Sequence, residues 1–206
     1  MDLTTAPITI ALLFANTVLS LIAFGDQKFM NKGLFVIGPI LQNKQYYRMI
    51  SSGFLHGSQG HLLFNMLTLF FFGPPLEGIL GSVLFAIVYF ASLLGGSLWS
   101  VLENRRNPRY AALGASGAIS GVLISYSLFA PFTTLLLFFV LPMPAIVFTA
   151  AYIGYSMYAS VYQKNSRIGH DAHLGGALTG GLVTVLLVPG VWGGFIKCIE
   201  SVLGIG

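Results

Sequence analysis

Ser116 and His173 are the side chains best placed to do chemistry. Ser116 sits in a cluster of small residues, Gly114-Ala115-Ser116-Gly117, at the head of an apolar stretch, and His173 opens another. A hydroxyl and an imidazole at the mouths of two membrane-grade segments are the parts of a nucleophile and its general base. Each is followed by the same packing device: Gly117 and Gly121 after the serine, Gly176 and Gly180 after the histidine, both spaced Gly-x-x-x-Gly. That spacing lets two helix backbones approach closely, which would bring Ser116 and His173 within hydrogen-bond reach.

His61 and Asn65 open a further apolar stretch four residues apart, so they share one helix face. Taken singly, the histidine is an interfacial residue and the asparagine is helix-to-helix glue. Taken with the serine, they are neutral donors for the oxygen of a tetrahedral intermediate, a role worth roughly 3 kcal/mol of barrier per donor in a dry site. Ser116 alone is equally ordinary, because Gly-Ala-Ser-Gly is a close-packing sequence and serine can bond its own backbone. The joint placement of four polar groups at three helix starts on one side of the membrane makes the catalytic assignment.

His170, one helical turn before His173, competes for the role of base, and the two form a His-x-x-His pair that could ligate a metal. Asp171 is the only carboxylate or thiolate nearby in sequence, and on a helix it points away from His173. The metal assignment is therefore set aside, and no cofactor is expected. The same geometry makes Asp171 a poor third member of a triad, leaving a Ser/His dyad.

The elements that must hold these residues are membrane helices. The chain has 206 residues, 55% hydrophobic and 8% charged, where soluble domains carry about 25% charged residues. Its formal charge of +4 is dispersed, with no basic run interleaved with aromatics, which excludes a nucleic-acid partner. The lone Cys198 excludes an internal disulfide framework and a cysteine-based zinc site. Met1 and Asp2 run into an apolar segment without a basic leader, so that segment is expected to be a retained first span.

Apolar stretches approaching the ~20 residues of a bilayer crossing fall at roughly 8 to 24, 61 to 79, 83 to 102, 115 to 129, 145 to 162 and 172 to 188. They predict an all-α membrane protein, a six-transmembrane-helix bundle in one domain over residues 1–206, with its core at about 46–188. The fourth stretch is shorter than the hydrocarbon core, so at least one of its ends is expected to lie below the membrane surface, and if that is the Ser116 end the hydroxyl sits in a protein-lined cavity at membrane depth. The loop from Gly25 to Gly60 mixes Phe29, Leu34, Phe35, Tyr46, Tyr47 and Phe54 with scattered charges, which fits an interfacial structure half sunk in the membrane. Thr133 to Leu141, bracketed by Pro131, Pro142 and Pro144, is expected to be an ordered connection at the membrane edge.

Together these residues resemble the rhomboid family of intramembrane serine proteases. The matches are Tyr47-Arg48, then His56, His61 and Asn65 in the pattern His-x4-His-x3-Asn, then Glu77, Gly114-Ala115-Ser116-Gly117 and Ala172-His173-x-x-Gly176-x-x-x-Gly180. The resemblance implies Ser116 as nucleophile, His173 as general base and then acid, and His61, Asn65 and the Ser116 backbone N–H as the oxyanion hole. It implies that Arg48, His56 and Glu77 brace the first loop and second helix, and that the substrates are single-pass membrane proteins admitted past the fifth span and the Gln163–His170 loop.

The chain departs from the family pattern at two positions. Tyr47 stands where members often carry Trp, a mild change for an interfacial aromatic. Ser120 stands where many carry an aromatic packed beneath the histidine, so another contact must orient His173, a hydrogen bond from Ser120 being the candidate. Rival functions are a non-catalytic member that escorts membrane clients, disfavoured by the presence of both serine and histidine, and a small transporter. Nine of the ten Lys and Arg residues lie in the first, third and fifth loops, with only Lys197 opposite. The positive-inside rule would put the active-site face in the cytoplasm, whereas the resemblance implies that it faces away, and the latter is adopted.

Overall fold

The structure, a computed structural model, describes residues 6–137, 140–162 and 169–205. It is mostly helical. Helix α1 (Pro7–Gly25) opens with proline in its first turn, where a missing N–H costs nothing. No local side chain caps it. The free N–H groups of Ile8 and Thr9 instead donate to the Glu77 carboxylate at 3.0 and 2.8 Å, and the Thr9 hydroxyl adds a third bond at 2.7 Å. A carboxylate at a helix N-terminus also opposes the helix dipole, so Glu77 fastens α1 to the bundle.

The segment after α1 is folded. It contains α2 (Gln27–Gly33), capped by the Asp26 side chain, strand β1 (Phe35–Val36), α3 (Ile37–Gln42), α4 (Arg48–Ser51) and a 3-10 turn at Ser52–Phe54. Arg48 holds the block together by donating to the carbonyl oxygens of Asn31 and Leu34 and to the Gln45 side chain, at 2.7 to 2.9 Å. Glu77 is not among these partners. Backbone carbonyls satisfy the guanidinium, and Glu77 is occupied by the start of α1 and by Ser82.

Helix α5 (Gln59–Asn104) is two helices meeting at Gly81, whose φ of 74° is left-handed and suits glycine because it has no Cβ to clash. Strand β2 (Ala111–Ala112) pairs antiparallel with β1, Phe35 opposite Ala112, and so anchors the chain just before α6 (Ser116–Phe129). Strands β3 (Thr134–Leu137) and β4 (Leu141–Pro144) form an antiparallel hairpin. The remaining helices are α7 (Ala145–Tyr162), α8 (His170–Leu187) and α9 (Val191–Leu203).

Two small sheets therefore qualify the all-α expectation. The segment read as a connection at Thr133–Leu141 enters the second of them. Prolines are tolerated there because a two-stranded ribbon has open edges needing no N–H. Helix α9, bent 105° from α8, is an element that the apolar pattern alone did not identify.

Helices α5, α6 and α8 form the centre, with α1 against α5 and α7 along α6 and α8. The interior is inverted relative to a soluble core. Ser92, Ser120, Ser125 and Thr184 are fully buried beside Tyr89 and Phe85, while Phe14, Val83, Leu102 and Leu186 are exposed. That distribution suits a lipid surround, where apolar side chains face outward and small or hydroxylated residues pack between helices. Pro7–Gly25 and Gln59–Asn104 are long and apolar enough to cross a membrane, α8 passes that test together with α9, and α6 is shorter.

Candidate functional site

The site begins with the glycine faces. A Cβ on Gly176 would collide with the Gly117 carbonyl, and one on Gly180 with the Gly121 Cα, so α6 and α8 meet backbone to backbone. Ser116 is the first residue of α6, and His173 lies in the first turn of α8. The contact between the two helices puts the Ser116 Oγ 2.5 Å from the His173 Nε2. Both residues are 4% exposed, so the pair is sealed inside the bundle. A short bond from a buried hydroxyl to a neutral imidazole is the geometry in which a proton can leave Oγ as it attacks an electrophile.

Two further contacts of the imidazole come from α7. The His173 Nδ1 is 2.6 Å from the Ser156 Oγ, and the Tyr152 ring stacks on the imidazole with centroids 5.4 Å apart and planes 22° apart. The hydrogen bond made by Ser120 runs within its own helix. The Ser120 hydroxyl donates to the Ser116 carbonyl one turn back at 2.7 Å, and the aromatic absent from position 120 has a counterpart on α7. Neither Tyr152 nor Ser156 was singled out in sequence. Their only signal was a tyrosine and a serine one turn apart in an apolar helix, a pattern that packing also produces.

His61 and Asn65 rise from the first turns of α5, where Ser58 caps the helix by accepting from the His61 N–H at 3.2 Å. The His61 ring occupies the space that a side chain on residue 114 would fill: a Cβ there would meet its Cε1 and Nε2 at 2.6 and 2.8 Å, and the Ser116 Oγ at 3.5 Å. Gly114 also has a φ of 122°. Glycine is thus required twice over at that residue, and its bareness brings His61 beside the Ser116 hydroxyl. Asn65 is 1% exposed, and its Nδ2 has no hydrogen-bond partner among the described residues. A buried donor left open costs about 1–3 kcal/mol, so a ligand oxygen accepting from it would recover that loss.

His56 supports this wall from behind. Its ring packs edge-on against His61 with centroids 5.0 Å apart, its Nδ1 meets the Ser20 hydroxyl at 2.8 Å, and its Nε2 accepts from the Ala115 N–H at a long 3.5 Å. Burial, with the positive charge of a protonated His61 adding to it, pushes the His56 pKa down to about 3, so the imidazole stays neutral. Arg48 and Glu77 lie away from the reacting groups, in the first-loop block and at the start of α1. Asp171 accepts from Asn104 at 2.7 Å and from the Tyr110 hydroxyl at 2.5 Å, tying α8 to α5 rather than reaching His173. The side chain of His170, the competing base, lies outside the described residues, as does the segment 163–168 of the expected mobile loop.

Behind Ser116 lies a cavity of about 30 Å³, with Ser52, Ser97, Ser100 and Ser116 among its lining residues. It has room and hydroxyls enough for water.

Rhomboid domain is the family description that matches this sequence, over residues 43–190. The chain is 30% identical over 167 residues to RHOMBOID-like protein 12, mitochondrial, of Arabidopsis thaliana, covering 74% of this chain and 49% of that protein. It is 33% identical over 179 residues to Rhomboid protein 1, mitochondrial, of Saccharomyces cerevisiae, covering 82% and 51%. A shorter match of 38% over 87 residues joins it to RHOMBOID-like protein 4 of Arabidopsis thaliana, covering 42% and 21%. The chain spans about half the length of the first and second of these relatives, or less in the third. The family match takes in every site residue from Arg48 to Gly180, and the chain belongs to the rhomboid family.

Proposed function

We propose that this protein is an intramembrane serine endopeptidase that cleaves transmembrane segments of single-pass membrane proteins, with Ser116 as nucleophile and His173 as base. The observation that carries the proposal is the 2.5 Å contact between the Ser116 Oγ and the His173 Nε2 inside the bundle. In the acylation step the Oγ bonds to the scissile carbonyl carbon while its proton passes to Nε2. The imidazolium then gives that proton to the leaving amine as the C–N bond breaks. Water, deprotonated by the same nitrogen, adds to the acyl-enzyme and restores the serine. The cavity behind Ser116 supports a supply of that water within the bundle.

The carbonyl oxygen gains charge during both additions. His61, the Asn65 amide and the Ser116 N–H are proposed to receive it. The N–H belongs to the first turn of α6, where no intrahelical acceptor exists. Gly114, Gly117, Gly176 and Gly180 permit the close approaches, and Arg48, His56 and Glu77 brace the elements that carry the site. We read α1, the two halves of α5, α6, α7 and α8 as six crossings, with the 14-residue α6 starting below the surface so that the dyad lies at membrane depth.

The test is labelling by a fluorophosphonate, together with cleavage of a single-pass test substrate in detergent. Wild-type protein should label and cleave, whereas Ser116→Ala and His173→Ala should each abolish both while remaining folded. Substantial turnover by Ser116→Ala would sink the proposal, and equal damage from His170→Ala would reassign the base.

A further inference from the structure

We propose that α7 sets the state of the base, Ser156 fixing which nitrogen of His173 carries the proton and Tyr152 fixing the plane of the ring. This inference rests on the protease function proposed above, and both residues are positioning residues within it.

The assignment follows from counting protons. The Ser156 hydroxyl has one, and it donates it to the Tyr152 carbonyl at 2.7 Å. What Ser156 offers the His173 Nδ1, 2.6 Å away, is then a lone pair, so Nδ1 must carry the hydrogen. A neutral imidazole has a single N–H. Nε2 is therefore bare, and it is the nitrogen facing the Ser116 Oγ. The run Ser116 O–H to Nε2, Nδ1–H to the Ser156 Oγ, and Ser156 O–H to the Tyr152 carbonyl points one way throughout. The opposite tautomer would place a hydrogen on Nε2 and require the Ser156 hydroxyl to leave its carbonyl. The same logic operates at His56, where the Ala115 N–H reaches Nε2, Nδ1 meets the Ser20 Oγ, and Ser20 donates to the Phe54 carbonyl.

Tyr152 fixes the remaining freedom, rotation of the ring. Its ring is stacked both with the imidazole and with Phe64 of α5, the latter at 6.3 Å and 9°. Tyr152 and Ser156 are one turn apart and converge on a single imidazole, and Ser156 is buried. Simple packing would not require a buried hydroxyl there, since removing one from water costs free energy unless it is bonded. Helix α7 shares a smaller interface with its neighbours than α5, α6 and α8 share with one another. Near its N-terminal end it is pinned to α6 by the Thr149 hydroxyl, bonded to that of Ser127. The base is thus competent only while α7 is seated, and a substrate that displaces α7 must let it return before acylation.

The experiment uses the full chain in detergent and a fluorophore-tagged fluorophosphonate, measuring the limiting inactivation rate and the half-saturating probe concentration separately. Ser156→Ala should lower the limiting rate about 10- to 100-fold while half-saturation stays within about twofold, the loss expected when one hydrogen bond to a group becoming charged is removed. Ser156→Thr, which restores a hydroxyl, should recover most of that rate. Tyr152→Leu should slow labelling about tenfold, and Tyr152→Phe should restore most of the loss. A Ser156→Ala rate within about twofold of wild type, or Ser156→Thr as slow as Ser156→Ala, would overturn the inference and leave the protease function standing. Absence of Ser116-dependent labelling in the wild type would instead sink the function and this inference with it.

Discussion

The Asn65 amide, His61 and the Ser116 N–H are the donors proposed for a scissile carbonyl oxygen, and their contacts in the protein differ. The Asn65 Nδ2 has no partner among the described residues, so Asn65→Ala removes an unspent donor and should cost little stability. His61 lies against Gly114 beside the nucleophile. Because such donors act on charge that develops only in the transition state, His61→Ala and Asn65→Ala should each lower kcat roughly 100-fold with a smaller change in KM. Cleavage kinetics on a single-pass substrate would check this, and unchanged kcat in both variants would return the two residues to packing. The meeting of Ser116 and His173 was legible at this scale because each opens an apolar stretch ahead of a glycine pair. Tyr152 and Ser156 were not, since their importance lies in what they face across a helix boundary, which residue type and spacing do not encode. Arg48 was legible as a brace but not in its partners, because backbone carbonyls leave no mark in a sequence.

Among the elements, α6 and α8 carry the serine and the histidine, so under the proposed mechanism the distance between those helices is itself a catalytic parameter. A Cβ on Gly176 would press on the Gly117 backbone, which cannot rotate away as a side chain could. Gly176→Ala should therefore wedge the helices apart, destabilise the protein by about 1–3 kcal/mol and lower turnover roughly 100-fold through misplacement of the base. Gly154→Ala on α7 is the control. A Cβ there would meet nothing within 4 Å, and alanine favours a helix. Thermal unfolding and cleavage rates measured on both variants decide the matter, and equal behaviour would show that the α6–α8 contact yields. The long helices were visible as apolar runs because that signal is local. The β1–β2 pair was not, since its four residues meet from far apart in sequence. Helix α9 also escaped, because Pro189 and Gly190 mark the end of a span and carry no sign of a further helix beyond it.

For the whole molecule, the open question is which face meets the cytoplasm. The Ser116–His173 pair lies at the N-terminal end of α8, and α9 extends from its other end, so Cys198 on α9 reports the opposite face. Of the basic residues on the active-site side, Arg48 is buried and spent on carbonyls, and insertion signals of that kind come from charges free to meet lipid headgroups. Lys28, Lys32, Lys44, Arg105, Arg106 and Arg109 remain exposed on that side, so charge still opposes the family orientation. We propose the family orientation, with the site facing away from the cytoplasm and Cys198 on the cytoplasmic face. In intact cells a membrane-impermeant maleimide should then leave Cys198 unlabelled until the membrane is permeabilised. Cys198 is half-buried, so Ser201→Cys, an exposed position on the same helix, supplies a second thiol in a Cys198→Ser background. Labelling of either thiol before permeabilisation would reverse the orientation, and it would mean that the exposed lysines and arginines, rather than the family's habit, direct how this chain inserts.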